Sequence, residues 1–502
     1  MSLPLPLRRG WAWLGSPLRF PVLAYLLVLG AIFTLAIQLD TVQGDTWWAL
    51  RAGKDMWITH RVIRTDSYSY TAYGDPWPDH AWLYQVLLYG VYVIGKLPLV
   101  SVVNAAIATA AVAIARPPGR VTWANLVAMT PVIALVSLSW AVRPQVVSLL
   151  MLAVIIRLIH RERWRTIVAV MLLWANLHAG VVLGGLVLGG ATMASLLAWL
   201  IGRRASAERG RALRARFVSL IVTSVAAAGA TLINPMGWGL WRYIATSSRR
   251  PGEEWIAEWQ PSWTAPWLTA WFWVWSGLLL LLLLLRWRRL LQWPVLLGIG
   301  MALALTPLAW MSMRNISPFG IVTLPLVVSL MQRRAVLSLE VPVAERPGSV
   351  MPGAKIMVGL ASIAMVVSVV RTLQSPASLG WYPMSSEIAH AIESCPGQVF
   401  TTYNGGAYLI WFTPGKKVFV DNRQDPFSAD ILNAGVGQGD WTKYFDRYGI
   451  KCAALNLMAD PQQIVELGAL RGWPIVHADS QWVVLISPDA VPAGTVIAPS
   501  AS

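Results

Sequence analysis

Residues 40–80 read DTVQGDTWWALRAGKDMWITHRVIRTDSYSYTAYGDPWPDH and separate the first long apolar stretch of the chain from the second. This loop holds six of the 24 acidic residues of the 502-residue chain. The concentration is high for a protein with only 13% charged and 56% hydrophobic residues, because an ordinary soluble domain has about 25% charged residues. The composition indicates a membrane protein and argues against a soluble enzyme, a disordered chain or a nucleic-acid-binding protein.

Apolar stretches of about 20 residues, the length that crosses a bilayer, flank this loop. The apolar stretch that follows the loop, 82–115, is interrupted by Gly95, Lys96 and Pro98, which predicts one long or broken helix. We therefore expect an α-helical polytopic membrane protein with about eleven spans. Thirteen spans are the alternative, because two extra crossings would leave the C-terminal part on the same side of the membrane. The other expected spans are 21–39, 122–140, 144–159, 166–178, 180–201, 216–233, 267–285, 290–311, 317–331 and 354–371.

The net charge of +16 is explained by basic cytoplasmic loops, since such loops carry an excess of Lys and Arg. Placing every basic cluster inside puts the N-terminus in the cytoplasm, with 21–39 as an uncleaved first span. Loop 40–80 and the C-terminal part then lie outside. The clusters are Arg8/Arg9/Arg19, Arg116/Arg120, Arg161/Arg163/Arg165, residues 203–216, Arg286/Arg288/Arg289 and Arg333/Arg334.

Within the outer loop, residues 45–58 have the pattern of a short amphipathic helix lying in the membrane interface. Trp47, Trp48, Leu50 and Trp57 share its apolar side. Asp45 stands at the N-terminus of this helix, where a carboxylate simply caps free backbone N–H groups. The functional alternative is a general base for a hydroxyl acceptor, or a ligand of a divalent cation that holds a phosphate.

Two further residues of the loop have a structural and a functional interpretation. Asp66 precedes the alternating Tyr68 and Tyr70, so it forms an Asx turn there or supplies a second catalytic acid. His80 is an interfacial histidine without a ligand role, or a substrate-binding residue.

Polar residues at the predicted outer ends of the spans are candidate substrate-binding residues, because ionisable groups there are often functional. Arg143 and Arg314 suit a lipid phosphate, or they reach to lipid headgroups. Asn176 and His178 lie at the end of one span. They contact the sugar or phosphate of a substrate, or they form hydrogen bonds with neighbouring residues between the helices. Glu258, beside Trp259, forms a sugar-binding pair or belongs to an ordinary interface helix.

The composition changes after about residue 375, where strand and helix patterns alternate. This predicts a small extracytoplasmic α/β domain over 375–502, after a transmembrane domain over 1–374. We expect helices at 384–394, 440–448 and 461–470, and strands at 397–402, 416–422, 451–456, 474–479 and 481–487. Cys395 and Cys452 both fall in this domain, where they form a disulfide or remain two buried thiols.

Short motifs spread over most of the chain resemble GT-C-type glycosyltransferases, and more narrowly a bacterial GT-C-like group. GT-C enzymes are polytopic membrane proteins that use polyprenyl-phosphate-linked sugars. The resemblance rests on DTWWALRAG (45–53), IRTDSYSYT (63–71), WPDHAWL (77–83), RPQ (143–145), NLH (176–178), NPMG (234–237), EW (258–259), Arg314, NGGAYLIW (404–411) and VFVDNR (418–423).

This resemblance implies that the first outer loop carries an essential acidic residue just after the first span, a position that Asp45 matches. The superfamily often has adjacent paired acids there. In this chain Asp40 and Asp45 are five residues apart, so Asp66 is our second candidate for a catalytic acid, and Glu258 our third.

The sequence therefore predicts a membrane glycosyltransferase of the bacterial plasma (inner) membrane. It is expected to move a sugar from a polyprenyl-phosphate-linked donor to an envelope glycan, lipid or protein acceptor at the outer face. Its other partners are membrane lipids and not nucleic acid; a divalent cation is a potential cofactor, with no metal ligands assigned. The alternatives are a transporter or flippase, or a non-catalytic protein of envelope assembly. A transporter usually has inverted repeats and mid-membrane charges, and neither is evident.

Overall fold

A computed structural model describes residues 20–39, 43–119, 121–204, 206–247, 256–332, 352–374 and 384–491 of the chain. Asp40, which entered the argument for a paired acid, lies outside the described residues. The basic clusters Arg8/Arg9/Arg19 and Arg333/Arg334, used to orient the chain, also lie outside them.

Helices make up the part of the chain up to residue 374. Within the described residues six are long and apolar enough to cross a membrane, and five shorter apolar helices accompany them. These eleven helices coincide with the expected apolar segments, while the number of crossings stays a prediction. In chain order the helices are α1 Phe20–Gln38, α2 Gly44–Thr59, α3 Trp82–Ala115, α4 Trp123–Val136, α5 Pro144–His160, α6 Trp164–Leu177, α7 Val181–Gly202, α8 Ala207–Ala230, α9 Gly239–Ser247, α10 Ala270–Leu285, α11 Trp293–Met311, α12 Ile316–Met331 and α13 Pro352–Gln374.

The helix α3 is broken, as its sequence predicted. Gly95 and Lys96 have non-helical backbone angles and separate two helical segments. The proline that follows, Pro98, has no N–H to donate, so it fits the first turn of the second segment. The first segment of α3 begins immediately after the outer loop and packs against α2.

A small four-stranded sheet lies in the C-terminal part of the chain. Its strand order is β1-β2-β4-β3, with β1 and β2 parallel and the other two pairs antiparallel. Whether this part is an independent domain stays a prediction. In chain order the elements are α14 Ser386–Glu393, β1 Gln398–Thr401, α15 Gly405–Phe412, α16 Ala429–Gly435, α17 Tyr444–Tyr448, β2 Ile450–Asn456, α18 Pro461–Val465, β3 Ile475–Ala478 and β4 Trp482–Ile486.

The segment 416–422, expected to be a strand, does not join this sheet. Its residues 418–421 are buried, and it pairs with the first outer loop. Val418 N–H donates to Tyr68 C=O at 2.9 Å, and Tyr70 N–H donates to Val418 C=O at 3.1 Å. The outer loop thus supplies hydrogen-bond partners that the sheet would otherwise provide. The two parts of the chain are joined through this pairing.

The Asn404-Gly405-Gly406 motif begins the helix α15, which the sequence did not predict. A Cβ atom at Gly406 would lie 1.9 Å from the carbonyl oxygen of Val420. Only glycine allows the helix to approach the extended segment so closely. The glycines therefore serve the packing between α15 and 416–422.

The predicted helix at 45–58 is present as α2, with part of its apolar side covered by protein and Trp57 exposed. Trp47 and Leu50 are buried, and the ring of Trp47 lies 4.7 Å from that of Phe412 in α15. On the side facing α3, a Cβ atom at Gly53 would lie 2.1 Å from the carbonyl oxygen of Gln85. The helix that carries Asp45 is therefore held between α3 and α15.

Cys395 and Cys452 form a disulfide, which decides between the two alternatives left open by the sequence. Cys452 pairs with Val399 across β1 and β2. The disulfide therefore ties the chain just before β1 to the middle of β2.

Candidate active site

A cavity of about 1270 Å³ is lined by side chains from both parts of the chain. Of the residues singled out in the sequence, six line it: Asp45, His80, Arg143, His178, Glu258 and Arg314. These residues come from five separate loops and span ends, so the fold brings them together. Asp66 and Asn176 are not among the lining residues.

At the centre of this group, Arg143 contacts two carboxylates. Its Nε atom lies 2.6 Å from Oδ2 of Asp45, and its Nη1 atom lies 3.0 Å from Oε2 of Glu258. Arg143 directly precedes Pro144 at the start of α5, and Asp45 is in the first turn of α2. The remaining nitrogen, Nη2, donates no hydrogen bond to the described residues.

Asp45 does not act as the cap of its helix. The capping contact at this end joins the Gln43 N–H to the hydroxyl of Thr46. The Asp45 carboxylate instead accepts a hydrogen bond from the Trp48 indole N–H at 3.3 Å, in addition to its ion pair with Arg143. Burial raises the pKa of Asp45, while Arg143 lowers it and Glu258 raises it further. A carboxyl with a raised pKa is a better proton acceptor than an ordinary aspartate.

The guanidinium of Arg314 stacks on the ring of Trp259, 4.2 Å from its centroid. It makes no hydrogen bond or ion pair within the part of the chain that the structure describes. Its hydrogen-bond donors are therefore available to an anion, since stacking uses only the face of the guanidinium.

A second cavity, of about 220 Å³, shares both arginines with the first. Its wall also includes the apolar residues Leu138, Leu268 and Met313. An apolar pocket therefore adjoins the cationic end of the main cavity.

His178 is held in one orientation by its Nδ1 atom. Gly180 N–H donates to Nδ1 at 3.2 Å, and the Ser148 hydroxyl lies 2.7 Å from the same atom. Ser148 in turn accepts from the Trp174 indole. Because Nδ1 accepts the Gly180 N–H, a neutral His178 carries its proton on Nε2, which makes Nε2 a donor.

His80 packs beside His178 and against Tyr243. The ring centroids are 5.3 Å apart in the first pair and 4.6 Å apart in the second. The Tyr243 hydroxyl donates to Asp425 Oδ2 at 3.3 Å. These contacts join the arginine-rich end of the cavity to residues of the C-terminal part.

Asp66 is buried and does not line the cavity, although its partner Arg423 does. Its oxygens accept from the backbone N–H groups of Tyr68 and Ser69, the turn expected of an aspartate there. Oδ1 also lies 2.7 Å from Nη1 of Arg423, which is bonded in a bidentate manner to Asp421. Asp66 thus joins the outer loop to the C-terminal part.

Asn176 connects helices rather than lining the cavity. Its side-chain oxygen accepts from the Trp82 indole at 3.3 Å, and its amide nitrogen donates to the Ile233 carbonyl at 2.8 Å. It therefore ties the end of α6 to the first residue of α3 and to the chain after α8.

Several lining residues were not among the sequence candidates. Asp79 and Gln85 belong to the first outer loop and the start of α3, while the C-terminal part contributes Asn404 and the run from Asn422 to Asp425. The sequence contained a partial signal, because Asp79 is one of the six loop acids and 418–423 was one of the GT-C-like motifs. No spacing rule distinguishes them from the acids that stay on the surface.

Within the described residues, no group of three or more His, Cys, Asp or Glu side chains is arranged to hold a metal ion. Asp45 and Glu258, two carboxylates of the cavity, share Arg143.

No protein-family model matches the chain, and no curated protein matches it in sequence. Solved structures do have its fold. ArnT from Cupriavidus metallidurans bound to undecaprenyl phosphate superposes with a TM-score of 0.51 at 13% identity, covering 96% of this chain and 99% of that one. The archaeal oligosaccharyltransferase AglB from Archaeoglobus fulgidus, in complex with an inhibitory peptide and a dolichol-phosphate, gives 0.56 at 10% identity, covering 94% and 75%. The GT-C-type fold expected from the motifs is thus confirmed.

Proposed function

We propose that this protein is a membrane glycosyltransferase that moves a sugar from a polyprenyl-phosphate-linked donor to a glycan, lipid or protein acceptor at the outer face of the bacterial plasma membrane. The observation that carries the proposal is the Asp45–Arg143–Glu258 cluster beside Arg314 in one large cavity. It combines a carboxylate suited to accept a proton with guanidinium groups suited to hold a phosphate.

The donor's phosphate is assigned to Arg143 Nη2 and the Arg314 guanidinium, which donate no hydrogen bond to the described residues. His178 Nε2 supplies a further donor at the same end. The apolar pocket that both arginines share with Leu138, Leu268 and Met313 suits the first units of a polyprenyl chain. The fold neighbours bound to undecaprenyl phosphate and dolichol-phosphate support a ligand of this class.

In the proposed reaction the acceptor hydroxyl attacks the anomeric carbon of the donor sugar. The new bond joins the acceptor oxygen to that carbon, and the bond from the carbon to the phosphate oxygen breaks. The hydroxyl proton passes to the Asp45 carboxylate, and polyprenyl phosphate leaves with the bonding electrons. The arginines stabilise the charge that develops on the leaving phosphate.

The same proposal assigns residues 1–374 to the membrane and 375–502 to the outer side. The Cys395–Cys452 disulfide supports this orientation, because disulfides persist in oxidising compartments and are rare in the cytoplasm. Asp66 and Asn176 are assigned a structural role in joining elements around the cavity.

The test is sugar transfer by the purified full-length protein from a panel of undecaprenyl-phosphate-linked sugars to membrane glycolipid extracts. We expect Asp45→Asn to reduce turnover by about 10²–10⁴-fold while undecaprenyl phosphate still binds. Asp75→Asn is the matched control, since Asp75 is an exposed acid of the same loop. Wild-type-like turnover by Asp45→Asn, or movement of the lipid-linked sugar across vesicles without transfer, would overturn the proposal.

A further inference from the structure

A second polar cluster lines the cavity, distinct from the arginine cluster. It contains Asp79 and Gln85 from the start of the α3 region, and Tyr243 and Asp425 line the same cavity. Asp79 and Gln85 are 5% and 1% exposed. None of the contacts of Asp45, Arg143 or Glu258 uses these side chains.

The hydrogen bonds within this cluster leave two oxygen atoms without a partner. Asp79 Oδ1 accepts from the Ala81 N–H at 3.2 Å and from the Gln85 side-chain amide at 2.7 Å. Asp79 Oδ2 and Gln85 Oε1 are buried and have no partner among the described residues. The bond from Gln85 Nε2 to Asp79 fixes the orientation of the amide, so the free atom of Gln85 is an acceptor.

Buried polar atoms without partners are rare in folded proteins, and each one calls for a ligand, water or strain as its explanation. Here both belong to residues in the wall of a large cavity. Above about pH 7, where the Asp79 carboxyl is ionised, both free atoms are acceptors and Asp425 adds a second carboxylate, so this part of the cavity disfavours phosphate. It suits a ligand that donates hydrogen bonds, such as hydroxyl or amino groups.

We propose that Asp79 and Gln85 form a sugar subsite, in which their free oxygens accept hydrogen bonds from the hydroxyl or amino groups of a pyranose or furanose ring. This rests on the proposed function, because it names the part of the same cavity that holds a sugar. The rings of Trp77 and Tyr243 also line the cavity. Ligand sites of this kind combine aromatic walls with a few placed polar groups.

The experiment measures binding of methyl glycosides to the detergent-solubilised full-length protein by saturation-transfer NMR at about pH 8, where the Asp79 carboxyl is ionised. The panel contains a neutral hexoside, a neutral pentoside and an aminohexoside. We expect at least one of them to bind the wild type, and Asp79→Asn to weaken that binding at least tenfold. Asparagine keeps the acceptor for Ala81 and Gln85 but presents an N–H donor where Oδ2 was. Gln85→Met, which removes the second oxygen, is expected to have the same effect, and it serves as the test if Asp79→Asn does not fold.

Asp75→Asn is the matched control and is expected to bind like the wild type. Binding of undecaprenyl phosphate, which lacks a sugar, is measured in parallel and is expected to be unchanged in all three variants. A wild type that binds none of the glycosides, or an Asp79→Asn variant that binds them equally well, would overturn the subsite. A wild type that binds glycosides but not undecaprenyl phosphate would support the subsite and overturn the proposed function.

A competition arm identifies the sugar that occupies the subsite. If an undecaprenyl-phosphate-linked hexose displaces the methyl glycoside, the subsite holds the sugar that is transferred. If both bind together, it holds a sugar of the acceptor. Either result supports the subsite, because both require a ring in contact with Asp79 and Gln85.

Discussion

Arg143 Nε lies 2.6 Å from Oδ2 of Asp45, so the proposed base and a proposed phosphate-binding residue form an ion pair with each other. Glu258 shares the same guanidinium through Nη1. A phosphate that binds to Arg143 competes with both carboxylates for its positive charge. Such competition would loosen Asp45 from its ion pair when the donor is present and leave the carboxylate free to accept a proton.

Replacing Arg143 by lysine tests whether the planar guanidinium is required. A lysine ammonium keeps the charge, but it is a point donor that does not reproduce the fork reaching Asp45 and Glu258 at once. We expect Arg143→Lys to reduce sugar transfer by about 10²-fold and to weaken binding of undecaprenyl phosphate, measured with the purified protein. Arg61→Lys, at an exposed arginine of the outer loop, is the control. Equal losses in the two variants would contradict a specific role for Arg143.

Asp66 is predicted to contribute to stability rather than to the chemical step. Its ion pair with Arg423 is fully buried, and breaking a buried pair from one side typically costs about 3 kcal/mol or more. We expect Asp66→Asn to lower the thermal unfolding temperature in detergent, whereas Asp75→Asn leaves it unchanged. Protein that stays folded at the assay temperature should retain transfer activity. A folded Asp66→Asn variant without activity would return Asp66 to the list of catalytic acids.

Comparing Arg143 with Asp66 shows how much of the candidate site could be predicted from the sequence. Asp45 and Arg143 were proposed because span ends and acid-rich loops are visible as local composition, and both line the cavity. The role of Asp66 was not visible, because its partner Arg423 lies in the C-terminal part of the chain. Ion pairs between distant segments follow from the fold and not from spacing.

The same reasoning accounts for the misplaced strand and the unpredicted helix. Residues 416–422 have the apolar pattern of a sheet strand, but their backbone partners are Tyr68 and Tyr70 of the outer loop. The helix α15 begins with two glycines, which usually end helices. Its position depends on the close approach of Gly406 to Val420. In both cases tertiary packing overrides local preference.

Gly53 is predicted to keep α2 close to α3 and thereby to position Asp45 in the cavity. A methyl group at Gly53 would lie 2.1 Å from the Gln85 carbonyl oxygen, so Gly53→Ala must push α2 away from α3. We expect this variant to lose most of its transfer activity, because a displacement of about 1 Å is enough to cost 10²-fold in rate. Gly185→Ala is the matched control. Gly185 lies in the helix α7, and a Cβ atom there would meet nothing within 4 Å. If Gly53→Ala transfers sugar as well as Gly185→Ala does, α2 does not position the base.

The ionisation of Asp79 makes the stability of the protein depend on pH. Burial raises its pKa from 3.8 to about 7, opposed by hydrogen bonds from Ala81 and Gln85; nearby Asp425 raises it further and Arg423 lowers it. Between pH 3.8 and 7 the folded protein holds a proton here that the unfolded chain has lost. The contribution of Asp79 to the free energy of unfolding is therefore fully present below pH 3.8. It falls by at most about 4 kcal/mol as the pH rises to about 7.

Asparagine at this position does not titrate, so Asp79→Asn should remove that dependence. We expect the variant to gain stability relative to the wild type as the pH rises from 5 to 8, measured as the difference in unfolding temperature at each pH. Asp75→Asn is expected to keep the wild-type profile, since Asp75 is exposed. Parallel profiles for Asp79→Asn and the wild type would mean that the Asp79 carboxyl is ionised throughout this range. The subsite would then present a full negative charge at neutral pH and would favour amino groups over hydroxyl groups.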